Sequence, residues 1–455
     1  MSSSTNSIVA GGDTFTTHQA RVILNPRITP KPANILFRFD GSVAAAVGYT
    51  VTEVGTVGTV AIDSTTSPFT GRNAGPSLKV LAAQTRTEIE ITGMTIANWD
   101  GHVVVNCYVE DHTDTSLQMS VYAGTTAYGR FYLNTHTVVP GTGANPHNGF
   151  HSVPAGPMYN ADVSALAQWT PGASSTFLPG TDTLNAVKIR INGNTVGPRT
   201  KAVWIHSITL VPKGRPTVVF TLDDCSSTWS TNVLPVFEAN GIVGSFGINS
   251  GDLNGGAQFL TTANLQAIAD AGHEVYSHNV ANTALAAPYD AAAADTYAAA
   301  FKSGQAGLGA LIGDARSSLY HPWVQGISSD TAVKRLRDHG MRVGRMATPS
   351  RHNVIAGCSG GGLFDQMMQL RSITTTTNGA NQTQATLQQV LTDCERYGTT
   401  VVFMTHEVTD TPTGIETSPT VFSWLCSAVA GNPAIAIRTI QELYQESLDE
   451  GLTLY

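Results

Sequence analysis

Two hydrophobic periods divide this chain. From about Ala33 to Val211 apolar and polar positions alternate. Ile35 to Phe39, Thr87 to Ile91, Val103 to Val109, Leu117 to Tyr122, Val187 to Ile191 and Val203 to Val211 all carry the period of two that a half-buried strand requires. Gly, Pro, Asn and Asp punctuate them, and no convincing helical stretch interrupts. The pattern predicts an all-β sandwich of jelly-roll type over 33–211. At Pro212–Pro216, a short linker, the pattern changes. Thr217 to Leu222 is a continuous apolar, β-branched run, the mark of a strand buried on both faces. Apolar positions at helical spacing then alternate with short strands. Helices are predicted around Val233, Leu234 and Phe237, around Leu265 and Ile268, over 290–301, 330–339, 386–397 and 420–429, and from Thr439 onward. Strands are predicted at Ile242 to Ile248, Glu274 to Ser277, Met341 to Met346, Thr399 to Met404 and Ile435 to Arg438. This alternation predicts a parallel α/β sheet or barrel over 217–455. Residues 1–32 are Ser/Thr-rich and read as an extended arm or attachment segment.

Composition narrows the class. A chain of 455 residues is too long for one ordinary core. Charged residues make up 13 %, about half of the usual share; Thr, Ser, Ala, Gly and Asn take their place. The net charge of −8 and the lack of a basic cluster exclude nucleic acid as a partner. No apolar run approaches the roughly 18 residues that would span a bilayer, and the first twenty residues hold no Lys or Arg and no standard signal peptide. A surface of small polar residues suits an extracellular or virion-associated protein, attached through its N-terminal region to a larger particle or oligomer. The five cysteines are widely spaced and read as free thiols. Trp99, Trp169 and Tyr122 are candidate sugar platforms in the sandwich, although aromatic residues there more commonly fill the core.

The candidate chemistry lies in the second half. Asp223-Asp224 ends the strand Thr217 to Leu222. His278 follows Glu274 to Ser277, with Asn282 four residues later, and His406 follows Thr399 to Met404. Two Asp after a strand commonly do no more than start a turn or cap a helix. In a parallel sheet, however, all three strand ends share one rim, the rim where such folds place their chemistry. A carboxylate and an imidazole there can hold a divalent cation, a second carboxylate can take a proton from water, and a lone His can protonate a leaving group.

These residues resemble, in order and spacing, the polysaccharide deacetylases with a NodB-homology domain, carbohydrate esterase family four. Thr221-Leu222-Asp223-Asp224-Cys225 is similar to that family's Thr-Phe-Asp-Asp-Gly. Gly272 to Asn282 is similar to Gly-His-Glu-(Ile/Val)-x-(Asn/Ser)-His-(Ser/Thr)-x-x-His. Tyr320-His321-Pro322-Trp323 approaches Arg-x-Pro-(Tyr/Trp), and Met404-Thr405-His406 resembles a strand ending Leu-x-His. The resemblance implies a distorted (β/α) barrel over 217–455. It implies Asp223 as base, His406 as acid, and the Trp323 backbone N–H as oxyanion donor. It makes Asp224 and His278 metal ligands, with Asn282 in the third ligand place, and sets Tyr320, Pro322 and Trp323 against substrate. The cofactor implied is Zn²⁺, with Mn²⁺, Co²⁺ or Ni²⁺ as substitutes, and the substrate an acetylated polysaccharide. Three positions depart from the pattern: Asn282 stands for His, Tyr320 for Arg and Cys225 for Gly, and no Asp-Trp fourth motif follows Arg345. These departures support the rival reading, a non-catalytic glycan-binding or structural tail protein with a degenerate deacetylase domain.

Overall fold

The computed structural model describes residues 8–10, 13–15, 34–38, 48–63, 65–66, 68, 76–110, 117–138, 149–155, 177–193, 197–286, 290–313, 320–326, 330–345, 370, 372–375 and 383–449. Most of the N-terminal arm and Trp169 lie outside this set; within the arm, Ile8–Ala10 pairs antiparallel with Asp13–Phe15.

The alternating half builds two antiparallel sheets. One runs Phe131–Val138, Leu117–Gly124, Ala186–Asn192, Arg86–Thr92 and Gly48–Val54. The other runs Gly149–Ala155, Gly101–Val109, Val203–Pro212, Ser77–Leu81 and Thr59–Asp63, with Asn34–Arg38 also paired to Val203–Pro212. The period of two turns Ile89, Ile91, Val121 and Ile189 of the first sheet toward Val103, Val105, Cys107 and Ile205 of the second, and these residues share one core. Trp99 belongs to that core. Tyr122 lies half-buried on the outer face instead, with the Lys188 ammonium 4.9 Å from its ring centre.

Among the described residues, the second half forms eight short parallel strands. β1 is Thr217–Leu222, β2 Ser245–Ile248, β3 Glu274–Ser277, β4 Tyr320–Pro322, β5 Val343–Arg345, β6 Ile373–Thr374, β7 Thr400–Thr405 and β8 Ala436–Arg438. Their helices are α1 (Leu234–Asn240), α2 (Thr262–Asp270), α3 (Ala291–Ile312), α4 (Asp330–Asp338), α5 (Gln384–Tyr397), α6 (Pro419–Ala430) and α7 (Ile440–Asp449). The order β3-β2-β1-β7-β6 is hydrogen-bonded throughout, β8 joins the start of β1, and β4 pairs with β5. A bridge from Arg345 to Leu370 links β5 toward β6. Between β3 and β4 the wall is closed by side chains, the Tyr276 and Tyr320 rings meeting at 4.2 Å. The result is a distorted (β/α) barrel.

Each strand sends alternate residues to opposite sides. Val218, Phe220, Leu222, Phe246, Val275, Val401 and Phe403 face the helices, where Phe237, Leu265, Leu391 and Phe422 cover them. Val219, Tyr276, Tyr320, Val343 and Val402 face inward. Helix ends are specified locally: Thr261 and Asn264 close a capping box on α2, Asp290 caps α3 through the Ala293 N–H, and Gly241 and Gly398 end α1 and α5 with positive φ.

The two halves touch. Val104 and Val211, on the sandwich face turned away from its own core, join Val219, Val402, Leu370, Ile440 and Leu443 in one buried cluster. The connector is packed as well: the Lys213 N–H donates to the Asp100 carbonyl at 3.1 Å.

Candidate active site

The period of two that fills the barrel also sets its rim. β1 pairs with β7 with Leu222 opposite Thr405, so Asp223 and His406, one residue further on each, emerge side by side. β2 pairs with β3 with Ile248 opposite Ser277, which does the same for Asn249 and His278. Arg345 ends β5 two residues beyond the inward-facing Val343. The rim is thus a layer of polar side chains stacked on an apolar interior.

Asp223 is the buried member of the acidic pair, 2 % exposed. Its Oδ2 accepts from the Arg345 guanidinium, and its Oδ1 accepts from the Tyr276 hydroxyl at 3.2 Å. Burial alone would raise this carboxyl, but Arg345, then His278 and His406, outweigh it and hold it far below the usual range. Arg345 is itself 1 % exposed, and its Nε donates to the Tyr320 hydroxyl at 3.2 Å. Gly247 makes room for this arrangement: a Cβ there would sit 2.6 Å from the Tyr276 ring.

Asp224 turns the other way. It and Cys225 both take positive φ, +77° and +59°, so the chain reverses sharply and leaves the Asp224 side chain 29 % exposed. Its Oδ1 accepts from Asn249 Nδ2 at 3.4 Å and lies 3.8 Å from His278 Nε2, while its Oδ2 lies 3.8 Å from His406 Nε2. His278 Nε2 is also 3.5 Å from Asp223 Oδ2. Burial works to lower His278, but Asp223 and then Asp224 outweigh it, and its pKa is raised. For His406 burial prevails over the same carboxylates and the pKa is lowered. The His406 carbonyl is held by the Trp229 indole N–H at 2.5 Å, and the neighbouring Val408 carbonyl by Asn232 Nδ2 at 2.7 Å. The segment after Asp223-Asp224 therefore braces the loop that carries His406.

Residues 211–344 match the family profile described as polysaccharide deacetylase. The matched stretch, which carries Asp223, Asp224 and His278, resembles a polysaccharide deacetylase domain. No curated protein matches the chain. Solved structures of deacetylases do. The deacetylase PplD of Streptococcus pyogenes, in complex with acetate, is 14 % identical over 34 % of this chain and 62 % of its own length, with a TM-score of 0.29. This chain thus matches less than two thirds of that protein. A family 4 acetyl xylan esterase from Clostridium thermocellum, in complex with a cobalt ion, is 13 % identical over 50 % of this chain and 90 % of its own, at a TM-score of 0.34. The carbohydrate esterase domain of a multidomain xylanase from the hindgut metagenome of Trinervitermes trinervoides is 14 % identical over 51 % and 91 %, at 0.33.

Within the second half the expected residues divide into two groups. Asp223, Asp224, His278 and His406 gather on the rim. Asn282 does not join them. Four residues after His278, it could reach the same ion from a helical turn, but the backbone turns to φ +78° at Asn279 and runs on as a bend, which leaves Asn282 exposed. Trp323 is corrected on two counts. Its N–H donates to the Arg345 carbonyl at 2.8 Å, so it is not an oxyanion donor here, and its side chain packs between α3 and α4. Tyr320 and Pro322 face the barrel interior and are buried, so they line no substrate surface. Arg345 and Asn249 were missed. The available signal was a polar residue closing an apolar strand, the position that Asp223 and His278 also occupy.

Proposed function

We propose that the domain hydrolyses acetyl groups from an acetylated polysaccharide. The observation that carries this reading is the convergence, on one rim, of an ion-paired buried carboxylate, a second carboxylate and two imidazoles. Among the described residues no three His, Cys, Asp or Glu side chains already form a metal-ligand cluster. Two donors of suitable chemistry nevertheless face each other, Asp224 Oδ1 and His278 Nε2. Their 3.8 Å separation is too long for a hydrogen bond and close to the roughly 3.3 Å between two ligands of a tetrahedral ion with bonds of about 2.0 Å. Carboxylate and imidazole suit Zn²⁺, and also Mn²⁺, Co²⁺ or Ni²⁺. They fit a cation that keeps its remaining positions for water and substrate.

In this scheme Asp224 and His278 hold the cation. Asp223 accepts the proton of the attacking water, aligned by Arg345 and Tyr276. His406 Nε2 returns a proton to the leaving nitrogen or oxygen. When bound, the cation would supply Lewis acidity toward the water and the acetyl oxygen. The test is acetate release from a panel of N- and O-acetylated glycans and a small acetyl ester, after loading with each metal and measuring its stoichiometry. Metal-dependent release supports the reading. Folded, metal-loaded protein that releases acetate from no substrate overturns it and favours the non-catalytic rival.

A further inference from the structure

The buried Asp223 carboxylate needs a cationic partner, and the chain provides it from an unexpected strand. Position 320 on β4 and position 345 on β5 lie in adjacent parallel strands, with Tyr320 opposite Val343 and Pro322 opposite Arg345. Both side chains point into the barrel and meet: the Tyr320 hydroxyl stands 3.2 Å from Arg345 Nε. A side chain of arginine length starting at 320 therefore ends where the Arg345 guanidinium ends now. All three guanidinium nitrogens are engaged. Arg345 Nη2 donates to Asp223 Oδ2, Nη1 to the Met404 sulfur at 2.6 Å and Nε to Tyr320. The Tyr276 ring packs on Tyr320 while its hydroxyl reaches the other Asp223 oxygen.

We infer that the barrel holds one guanidinium site beneath the reacting carboxylate, reachable from either strand, and that this chain fills it from β5 with Arg345 while Tyr320 supplies the acceptor from β4. Arg345 is then a positioning residue. It fixes the rotamer of Asp223 and touches no substrate. This rests on the proposed deacetylase reading, but it makes a separate demand: the guanidinium should be transferable between the two positions. A point charge should serve poorly, because three donors in a planar fork are engaged at once.

The test compares three variants. R345M keeps the aliphatic stem and removes the fork. R345K keeps the charge. Y320R/R345Y exchanges the two side chains at constant volume. R345M is expected to lower kcat roughly 10²-fold, the scale of a misplaced reacting group, with KM changed less than about twofold because substrate is not touched. R345K should recover only a small part of the loss, and Y320R/R345Y at least about tenfold of it. A purely structural role would move the melting temperature of R345M without this kcat-against-KM split. Wild-type kcat in R345M overturns the inference. So does an exchange variant that is folded by circular dichroism yet no more active than R345M. If the wild type releases no acetate from any substrate, the deacetylase reading has failed instead, and the shared site is read from stability alone: a Y320R/R345Y melting temperature no higher than that of R345M then refutes it.

Discussion

Replacing Asp223 by Asn tests the centre of the site. The substitution keeps the shape of the side chain and removes its charge. Asp223 and Arg345 are both almost fully buried, so the change leaves a guanidinium in the interior without its counter-ion. Breaking one side of such a pair costs about 3–5 kcal/mol. The Asn carbonyl still accepts one hydrogen bond, which places the expected loss toward the lower figure. Turnover should fall roughly 10²–10⁴-fold, the scale for removing a general base. Asp224→Asn provides the contrast. Its side chain is 29 % exposed and, among the described residues, pairs with no guanidinium, so activity should fall while stability barely moves. The stability difference between wild type and D223N also depends on pH. The folded-state pKa of Asp223 is depressed, so its contribution is fully present above the unfolded value of about 3.9, begins to decline below it and is lost only as pH falls through the folded value; at pH 3 the difference should be reduced but not abolished. Urea unfolding at pH 7 and pH 3, with acetate release at pH 7, measures all three quantities. Wild-type turnover in D223N, or no loss of stability at pH 7, would refute the reasoning.

Three further outcomes follow from the same geometry. Gly247→Ala places a Cβ 2.6 Å from the Tyr276 ring; overpacking of this kind costs about 1–3 kcal/mol, and kcat should drop as the Tyr276 hydroxyl leaves Asp223, while an unchanged melting temperature would argue against the close contact. Glu274, buried at the base of β3, has its pKa raised to about 7 by burial, against hydrogen bonds from Ser245 and the start of α7. A raised acid binds its proton more tightly in the folded state, so stability should decline by on the order of 3 kcal/mol between about pH 4.5 and pH 7, and Glu274→Gln should abolish that slope in denaturant titrations. Chelator competition should show His278→Ala loosening metal at least tenfold and Asn282→Ala leaving affinity unchanged, because Asn282 stands exposed away from the carboxylates; a loosened Asn282→Ala would restore it as a ligand.

Much of the architecture could be read from periodicity because burial imposes it. β1 carries only apolar and β-branched residues since both of its faces are covered, and the sandwich strands with strong Val/Ile alternation were recognisable for the complementary reason. Gly48–Val54, Thr59–Asp63 and Phe131–Val138 were not, because Gly and Thr there dilute the contrast between faces. At the rim, Asp223, Asp224, His278 and His406 were legible because each directly follows a recognisable strand. Asn282 and Trp323 were misplaced for local reasons. A positive φ at Asn279 cannot be seen in a spacing rule, and the inward or outward sense of the three-residue strand β4 depends on the ladder to β5. That ladder also consumes the Trp323 N–H. Arg345 was hidden because its partner lies 122 positions away in the chain.

The cluster shared by the two halves has a consequence for how this protein comes into being. Val104 and Val211 belong to the part of the chain that leaves the ribosome first, and domains fold as units during synthesis. A finished sandwich thus waits with an apolar patch in water until Val219, Val402 and Leu443 arrive to cover it. The barrel is assembled on a floor already laid. The change of period at Pro212–Pro216 marks a boundary of pattern but not a place to cut. Severing it would leave an oily surface on both pieces, and heating the intact chain should give one calorimetric transition where independent modules would give two.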